Sequence, residues 1–345
     1  MEDLETAYRQ LSQGETVKLP AKTTSYKDWA QQLQKYAQSD KVREELDYWL
    51  SLKSPISPLS APPLIRGGSA VLGSPQIEQL PWAKGDSEGD NTVASAATVS
   101  VTLTPEETQV LLSEVPSAYQ TQINDVLLTA LAQTFQQWTG NNSLLIELEG
   151  HGRENILDNV NLSRTVGWFT TIFPVLLDFE TNSEPGAAIK SIKEQLRSIP
   201  KKGINYGVLR YLSNDELIRE KLEKLPTAEV RFNYLGQTDQ ITNNSSLFQP
   251  AKESTGNNQS LRGHRDCVIE INSAIADGKL FLDWTYSQRL HQESTIQQLA
   301  ETFIEKLRSL ISHCQSPDAV GYTPSDFPQM EFNADELDLL LSQLD

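Results

Sequence analysis

Residues 104 to 315 predict an α/β layered body, on three observations. Short apolar segments with strand character, at about 143–149, 168–177, 228–235, 267–275 and 279–287, alternate with longer segments whose apolar residues recur every three to four positions. Turn residues separate them, most clearly Asp277-Gly278 between the last two strands, a two-residue hairpin signal. The helix-type segments carry their own start and stop chemistry: Thr104-Pro105-Glu106-Glu107 offers a capping threonine, a proline at the first helical position and a reciprocal glutamate, while Gly140 ends the next helix.

From the N-terminus, Leu4, Tyr8 and Leu11, then Trp29, Leu33 and Tyr36, then Leu46, Trp49 and Leu50, give helical periods over the first fifty residues. Leu4 already belongs to the apolar stripe, so the chain is expected to start inside a helix. Residues 54–94 crowd Ser, Pro and Gly together and read as a loop or insertion without assigned chemistry. A short strand is expected at 98–103. Ile123, Val126, Leu127, Ala130, Leu131, Thr134, Phe135 and Trp138 mark the clearest helix, with further helices at about 186–198, 214–224 and 293–312. Ser213 and Glu216 suggest a capping box for the second of these, and His291 a cap for the third. His264 falls in a loop expected to be solvated. In the tail, Thr323 to Pro328 reads as an extended linker; Asn333 and Glu336 then open a helix striped by Leu337, Leu340, Leu341 and Leu344.

Composition narrows the function classes. The 345 residues carry 29 basic and 46 acidic side chains, a net charge of −17 that disfavours nucleic acid and anionic lipid as partners. Mean hydropathy is −0.42. No apolar run is long enough to span a membrane and the start is acidic, so neither a span nor secretion is expected and the cytoplasm is the default. Two cysteines without CxxC spacing and four scattered histidines offer no disulfide framework and no metal site. No internal repeat is visible.

Chemistry concentrates in four strings. In Glu149-Gly150-His151-Gly152-Arg153-Glu154, a strand delivers a carboxylate to a Gly-x-Gly turn that would let a substrate approach the backbone. Burial there would raise the Glu149 pKa toward the range of a useful base; the alternative is a surface glutamate at a strand end. Arg153 and Glu154 are expected to pair with each other or with nearby backbone. Ser163-Arg164-Thr165-Val166-Gly167-Trp168-Phe169 joins a glycine to two aromatics that core packing alone could explain. Pro200 to Gly207 is a glycine-bearing turn. In Phe232-Asn233-Tyr234-Leu235-Gly236, strand alternation sends Asn233 and Tyr234 to opposite faces unless a bulge intervenes.

Taken in this order over roughly ninety residues, the four strings resemble the epimerization domain of non-ribosomal peptide synthetases, a relative of the condensation domain. Asp125-Val126-Leu127-Leu128-Thr129-Ala130 is similar to that family's buried helix. The resemblance implies a chloramphenicol-acetyltransferase-like fold. Residues 104–315 would be its C-terminal lobe, 1–103 a helical remnant of the N-terminal lobe, and 316–345 a linker and docking helix. It implies conversion of an L-aminoacyl or peptidyl thioester to its D form on a peptidyl carrier protein, whose phosphopantetheine arm is supplied in trans; no other cofactor is implied. Glu149 would be the catalytic base, Tyr234 a phenol near the reacting carbon and Asn233 an organiser. His151, which also reads as scaffold, would line the substrate channel with Arg164, Gly167, Trp168 and Gly207. Ile204-Asn205 stands where the family often has a further glycine. The family's catalytic His-His-x-x-x-Asp-Gly segment is absent and would lie upstream of Met1, so an upstream fragment becomes a further expected partner. The leucine stripe of the tail would dock a downstream synthetase. Two alternatives stay open: a non-catalytic carrier-binding or docking module, and a condensation-type domain.

Overall fold

A computed structural model describes residues 2–52, 91–180, 183–238, 253, 256, 258–330, 333, 336, 337 and 339. Six strands pair into a mixed sheet, with alternating burial clearest along the last three. Its strands are β1 (Ala96–Thr102), β2 (Ser143–Gly150), β3 (Thr171–Asp178), β4 (Val230–Gln237), β5 (Ile269–Ala276) and β6 (Lys279–Ser287), in the order β1-β6-β5-β4-β2-β3. Only the central pairs β2–β4 and β4–β5 are parallel. β5 and β6 turn at Asp277-Gly278, where φ is +50° and +70°, the left-handed geometry that this dipeptide favours.

Helices cover one face. On β6, Leu280, Leu282, Trp284 and Tyr286 point into the core, as do Ile269 and Ile271 of β5 and Val230 and Phe232 of β4. Against them lie α7 (Ile123–Thr139) and α11 (Glu293–Cys314), with α8 (Pro185–Arg197) beside β3. α7 ends where expected, at Gly140 with φ +72°. α5 (Pro105–Ser113) opens on the expected reciprocal box, with Glu107 bonding Thr104 N and Thr104 Oγ1 accepting from Glu107 N. α6 (Val115–Tyr119) joins α5 to α7. Cys267 and Cys314 are buried free thiols, and burial pushes both up to about 11. No helix among the described residues is long and apolar enough to cross a membrane.

The N-terminal helices divide. α2 (Tyr26–Tyr36), α3 (Asp40–Arg43) and α4 (Leu46–Leu50) contribute Trp29, Leu33, Val42 and Trp49 to the same core, with Trp49 edge-on to Phe173 and Trp29 edge-on to Phe169. α9 (Ile204–Gly207) meets them through the fully buried Asn205, whose amide donates to Tyr36 Oη at 3.1 Å and Glu45 Oε1 at 2.8 Å. α1 (Glu2–Ser12) buries nothing: Leu4, Tyr8 and Leu11 are about 60% exposed.

Several elements differ from the sequence expectation. β1 pairs with β6 along its length, so the sheet-bearing body begins by Ala96 rather than at 104. β3 starts at Thr171 because residues 165–170 are held in a loop against the N-terminal segment. α10 (Glu216–Glu223) is capped by Asp215, whose carboxylate accepts from Leu217 N, while Ser213 accepts from Asp215 N. α11 is preceded by Gln292 as its cap residue, and His291 instead packs its ring edge-on against Trp138, where burial lowers its pKa. The stretch around Thr323–Asp326 is pinned rather than a free linker: buried Lys193 binds both carboxylate oxygens of Asp326 at 2.6 and 2.7 Å. Asn333 and Glu336 do form their reciprocal cap. Leu337, expected on a docking stripe, is 1% exposed and packs within its own chain. Leu340, Leu341 and Leu344, and residues 54–90 of the expected insertion, lie outside the described residues.

Candidate active site

The face of the sheet away from α7 and α11 carries charge, because alternation puts the polar member of each residue pair there. Glu147 and Glu149 on β2, Arg231 and Asn233 on β4, and Glu270 and Asn272 on β5 form two adjacent rows, with Arg231 registered against Glu147 and Glu270, and Asn233 against Asn272. Arg231 donates through Nε and Nη2 to Glu147 Oε2, at 3.0 and 2.7 Å. In the second row, Asn233 Nδ2 donates to Glu149 Oε2 at 3.1 Å.

Glu149 opens onto a cavity of about 610 Å³ between the ends of β2 and β4, the start of α7 and the turn before α9. Burial raises its pKa; the nearby Arg231 guanidinium works against that, and Glu270 and Glu147 add to it. Tyr234 lines the same cavity, and burial pushes its phenol upward too, so it stays a hydrogen-bond donor at neutral pH. Asn233 and Tyr234 both reach the cavity although they are neighbours on one strand. No bulge separates them: Asn233 and Tyr234 pair in register with Asn272 and Ser273 and keep opposite faces, and the cavity meets both because it lies at the end of β4, where the register shifts between Tyr234 and Gln237.

In the turn after Glu149, Gly150 and Gly152 line the cavity and also pack closely against their own chain. Gly152 has φ +64°, and a Cβ there would lie 1.6 Å from the carbonyl oxygen of Phe169. His151 braces the turn: Nδ1 accepts from Arg153 N at 3.0 Å and Nε2 lies 3.1 Å from Glu154 Oε1. Arg153 bonds the carbonyls of Leu162 and Thr165 and stacks 4.1 Å over Phe169, and Glu154 reaches Lys202.

Of the expected channel residues, only His151 lines this cavity. Arg164 is drawn away by Asp3 and Glu2 at the start of α1. Gly167 sits against Tyr26, and Trp168, 80% exposed, gives its carbonyl to the Tyr26 hydroxyl. Gly207 lies in α9, off the cavity. Conversely, the sequence did not single out Glu147, Arg231, Glu270 and Asn272. Their signal was a polar residue at every second position of three strands, but it becomes a cluster only once the strand order is known. Among the described residues no cluster suits a metal ion.

With this geometry in place, three comparisons define the class. The condensation-domain family model matches residues 1–331, and the chain belongs to that family. It is 44% identical over 338 residues to one of the linear gramicidin synthase proteins of Brevibacillus parabrevis, covering 98% of this chain and 6% of that protein. Against gramicidin S synthase 1 of Brevibacillus brevis it is 38% identical, covering 98% of this chain and 29% of that protein. Among solved structures it is similar to the epimerization domain from the third module of tyrocidine synthetase B: 37% identity and TM-score 0.74, over 91% of this chain and 65% of that one. The chain therefore spans just under two thirds of that structure and a small part of the synthases. The first condensation domain of the calcium-dependent antibiotic synthetase, at 15% identity and TM-score 0.56, shares the fold. Together these define a non-ribosomal peptide synthetase domain of the condensation superfamily with a chloramphenicol-acetyltransferase-like α/β fold.

Proposed function

We propose that this chain carries the Glu149 half of an epimerization site, acting on an aminoacyl or peptidyl thioester presented by the phosphopantetheine arm of a carrier protein. The observation that carries this is the partly buried Glu149 carboxylate, bonded by Asn233 and sharing its cavity with Tyr234. The 37% identity to an epimerization domain supports it.

Glu149 takes the proton of the α carbon as the C–H bond breaks. The electron pair moves toward the thioester carbonyl, and a proton returns to the opposite face. Tyr234 donates a hydrogen bond to the enolate-like oxygen. The second acid or base belongs to a His-His-x-x-x-Asp-Gly segment that this sequence does not contain. A positioned proton donor contributes roughly 10²- to 10⁴-fold in rate, so the chain alone is expected to be nearly inactive.

The test supplies the matching upstream segment of a relative in trans, with an L-aminoacyl carrier protein, and separates the released amino acid by chiral chromatography. Formation of the D form and wash-in of deuterium at the α carbon, both lost in Glu149→Gln, are expected. Exchange that persists at the complemented rate in Glu149→Gln would remove Glu149 from the reaction. Peptide bond formation with an offered acceptor, without epimerisation, would instead assign a condensation-type domain. Carrier binding with neither reaction would assign a non-catalytic module.

A further inference from the structure

Glu149 is held at the end of a chain of amides whose direction is fixed from two strands away. Asn272 Nδ2 donates to Glu270 Oε1 at 3.2 Å, Asn233 Nδ2 reaches Asn272 Oδ1 at 3.4 Å, and Asn233 Nδ2 also donates to Glu149 Oε2 at 3.1 Å. A carboxylate only accepts hydrogen bonds, whereas each amide has one accepting and one donating end. Glu270 therefore claims the NH₂ of Asn272, which turns Asn272 Oδ1 toward Asn233. Asn233 must meet that oxygen with its own NH₂, and the second hydrogen of that group falls to Glu149. Glu270 is anchored by Arg265, 3.8 Å away, whose guanidinium also donates to the carbonyls of Val268 and Thr285.

We propose that Glu270 and Asn272 are positioning residues for Glu149: their fixed polarity keeps Asn233 donating to Oε2 and leaves Oε1 as the atom that takes the proton. This rests on Glu149 acting as the base. In the proton step the Oε1–H bond forms as the Cα–H bond breaks, and the proton that reaches the opposite face comes from the second acid, whose bond to it breaks as the new Cα–H bond forms. With the chain reversed, Asn233 Oδ1 would face the carboxylate. Two acceptors in contact favour the protonated acid.

Among the charges around Glu149, Arg231 also favours the carboxylate, while Glu270 and Glu147 oppose it. Glu147 on its own strand is taken up by Arg231, and Asp125 of α7 pairs with Arg197 of α8. On the turn side, His151 and Lys202 both contact Glu154.

Carbon-13 carboxyl titration of the full chain tests the proposal without turnover, with the Glu149 signal assigned by its loss in Glu149→Gln. Asn272→Leu removes the link and is expected to move the Glu149 midpoint to higher pH than in the unsubstituted chain. Glu270→Leu and Glu270→Gln remove the same charge, but only glutamine keeps an accepting oxygen, so the leucine variant is expected to titrate above the glutamine variant. An unchanged midpoint in Asn272→Leu, or coincident midpoints for the two Glu270 variants, would overturn the relay. If circular dichroism shows that Asn272→Leu does not fold, the Glu270 pair decides. The titration is independent of epimerisation, so an inactive or misassigned Glu149 shows in the exchange assay and a failed relay shows here.

Discussion

At the scale of single residues, Glu149 gives up solvation where the sheet holds it, and its raised pKa makes its charge a cost to the fold. The sign follows from proton binding. A carboxyl whose folded pKa lies above its unfolded value binds protons more tightly in the native state, so stability falls as pH rises through the folded midpoint. Glu149→Gln is therefore expected to be more stable than the unsubstituted chain at pH 7.5. The gain disappears below the unfolded carboxyl value of about 4.3, as urea denaturation at the two pH values would measure. Two glycines give an opposed pair. Gly152→Ala forces a side chain into φ +64° and onto the Phe169 carbonyl, and is expected to cost about 2 kcal/mol or more. Gly207 is helical, with φ −65° and nothing nearer than Tyr211 at 3.9 Å. Gly207→Ala is expected to be neutral or to stabilise by about 0.4 to 1 kcal/mol in the same assay.

At the scale of elements, the segment after α11 is held by one buried cation. Lys193, 1% exposed on α8, binds Asp326 and the Tyr119 carbonyl, and Ser325 bonds Glu194 one residue on. Leucine periodicity in the tail was legible in the sequence; that Leu337 would be buried was not, because a stripe says which side is apolar and not what covers it. Asp326→Ala leaves Lys193 charged without its partner, which costs about 3 to 5 kcal/mol when nothing relaxes. The expected outcome is a lower melting temperature together with faster amide exchange across residues 320–337. A drop in melting temperature without that local exchange would show that the pair does not hold the segment.

At the scale of the whole chain, α1 is tethered by the Arg164 contacts to Glu2 and Asp3 while its apolar stripe stays exposed among the described residues. Leu4, Tyr8 and Leu11, with Val166 at 92% and Trp168 at 80% exposure, form apolar surface of the kind that drives association. The chain by itself is expected to bind hydrophobic dyes and to scatter light above a monomer. Replacing Leu4, Tyr8 and Leu11 together by Glu is expected to lower both while leaving the melting temperature nearly unchanged, since none of the three is buried. A clear fall in melting temperature would mean that α1 packs on the body in solution.

The sequence by itself determined the pieces whose physics is local. The Thr104–Glu107 box, the Gly140 stop, the Asp277-Gly278 turn and the α7 stripe each depend on residues within a few positions of one another, and Glu149 stood out as a carboxylate at a strand end. Tertiary structure decided everything that depends on which strand lies beside which. The order β5-β4-β2 gathers Glu149, Asn233 and Asn272 from positions up to 123 apart. The cavity at the end of β4 takes in both Asn233 and Tyr234, and the Tyr26–Trp168 contact across 142 residues draws the Arg164–Trp168 loop off it. Periodicity assigns each side chain to a face of its element. Only pairing between distant elements decides what that face meets, and hence whether a carboxylate is solvated, paired or held as a base.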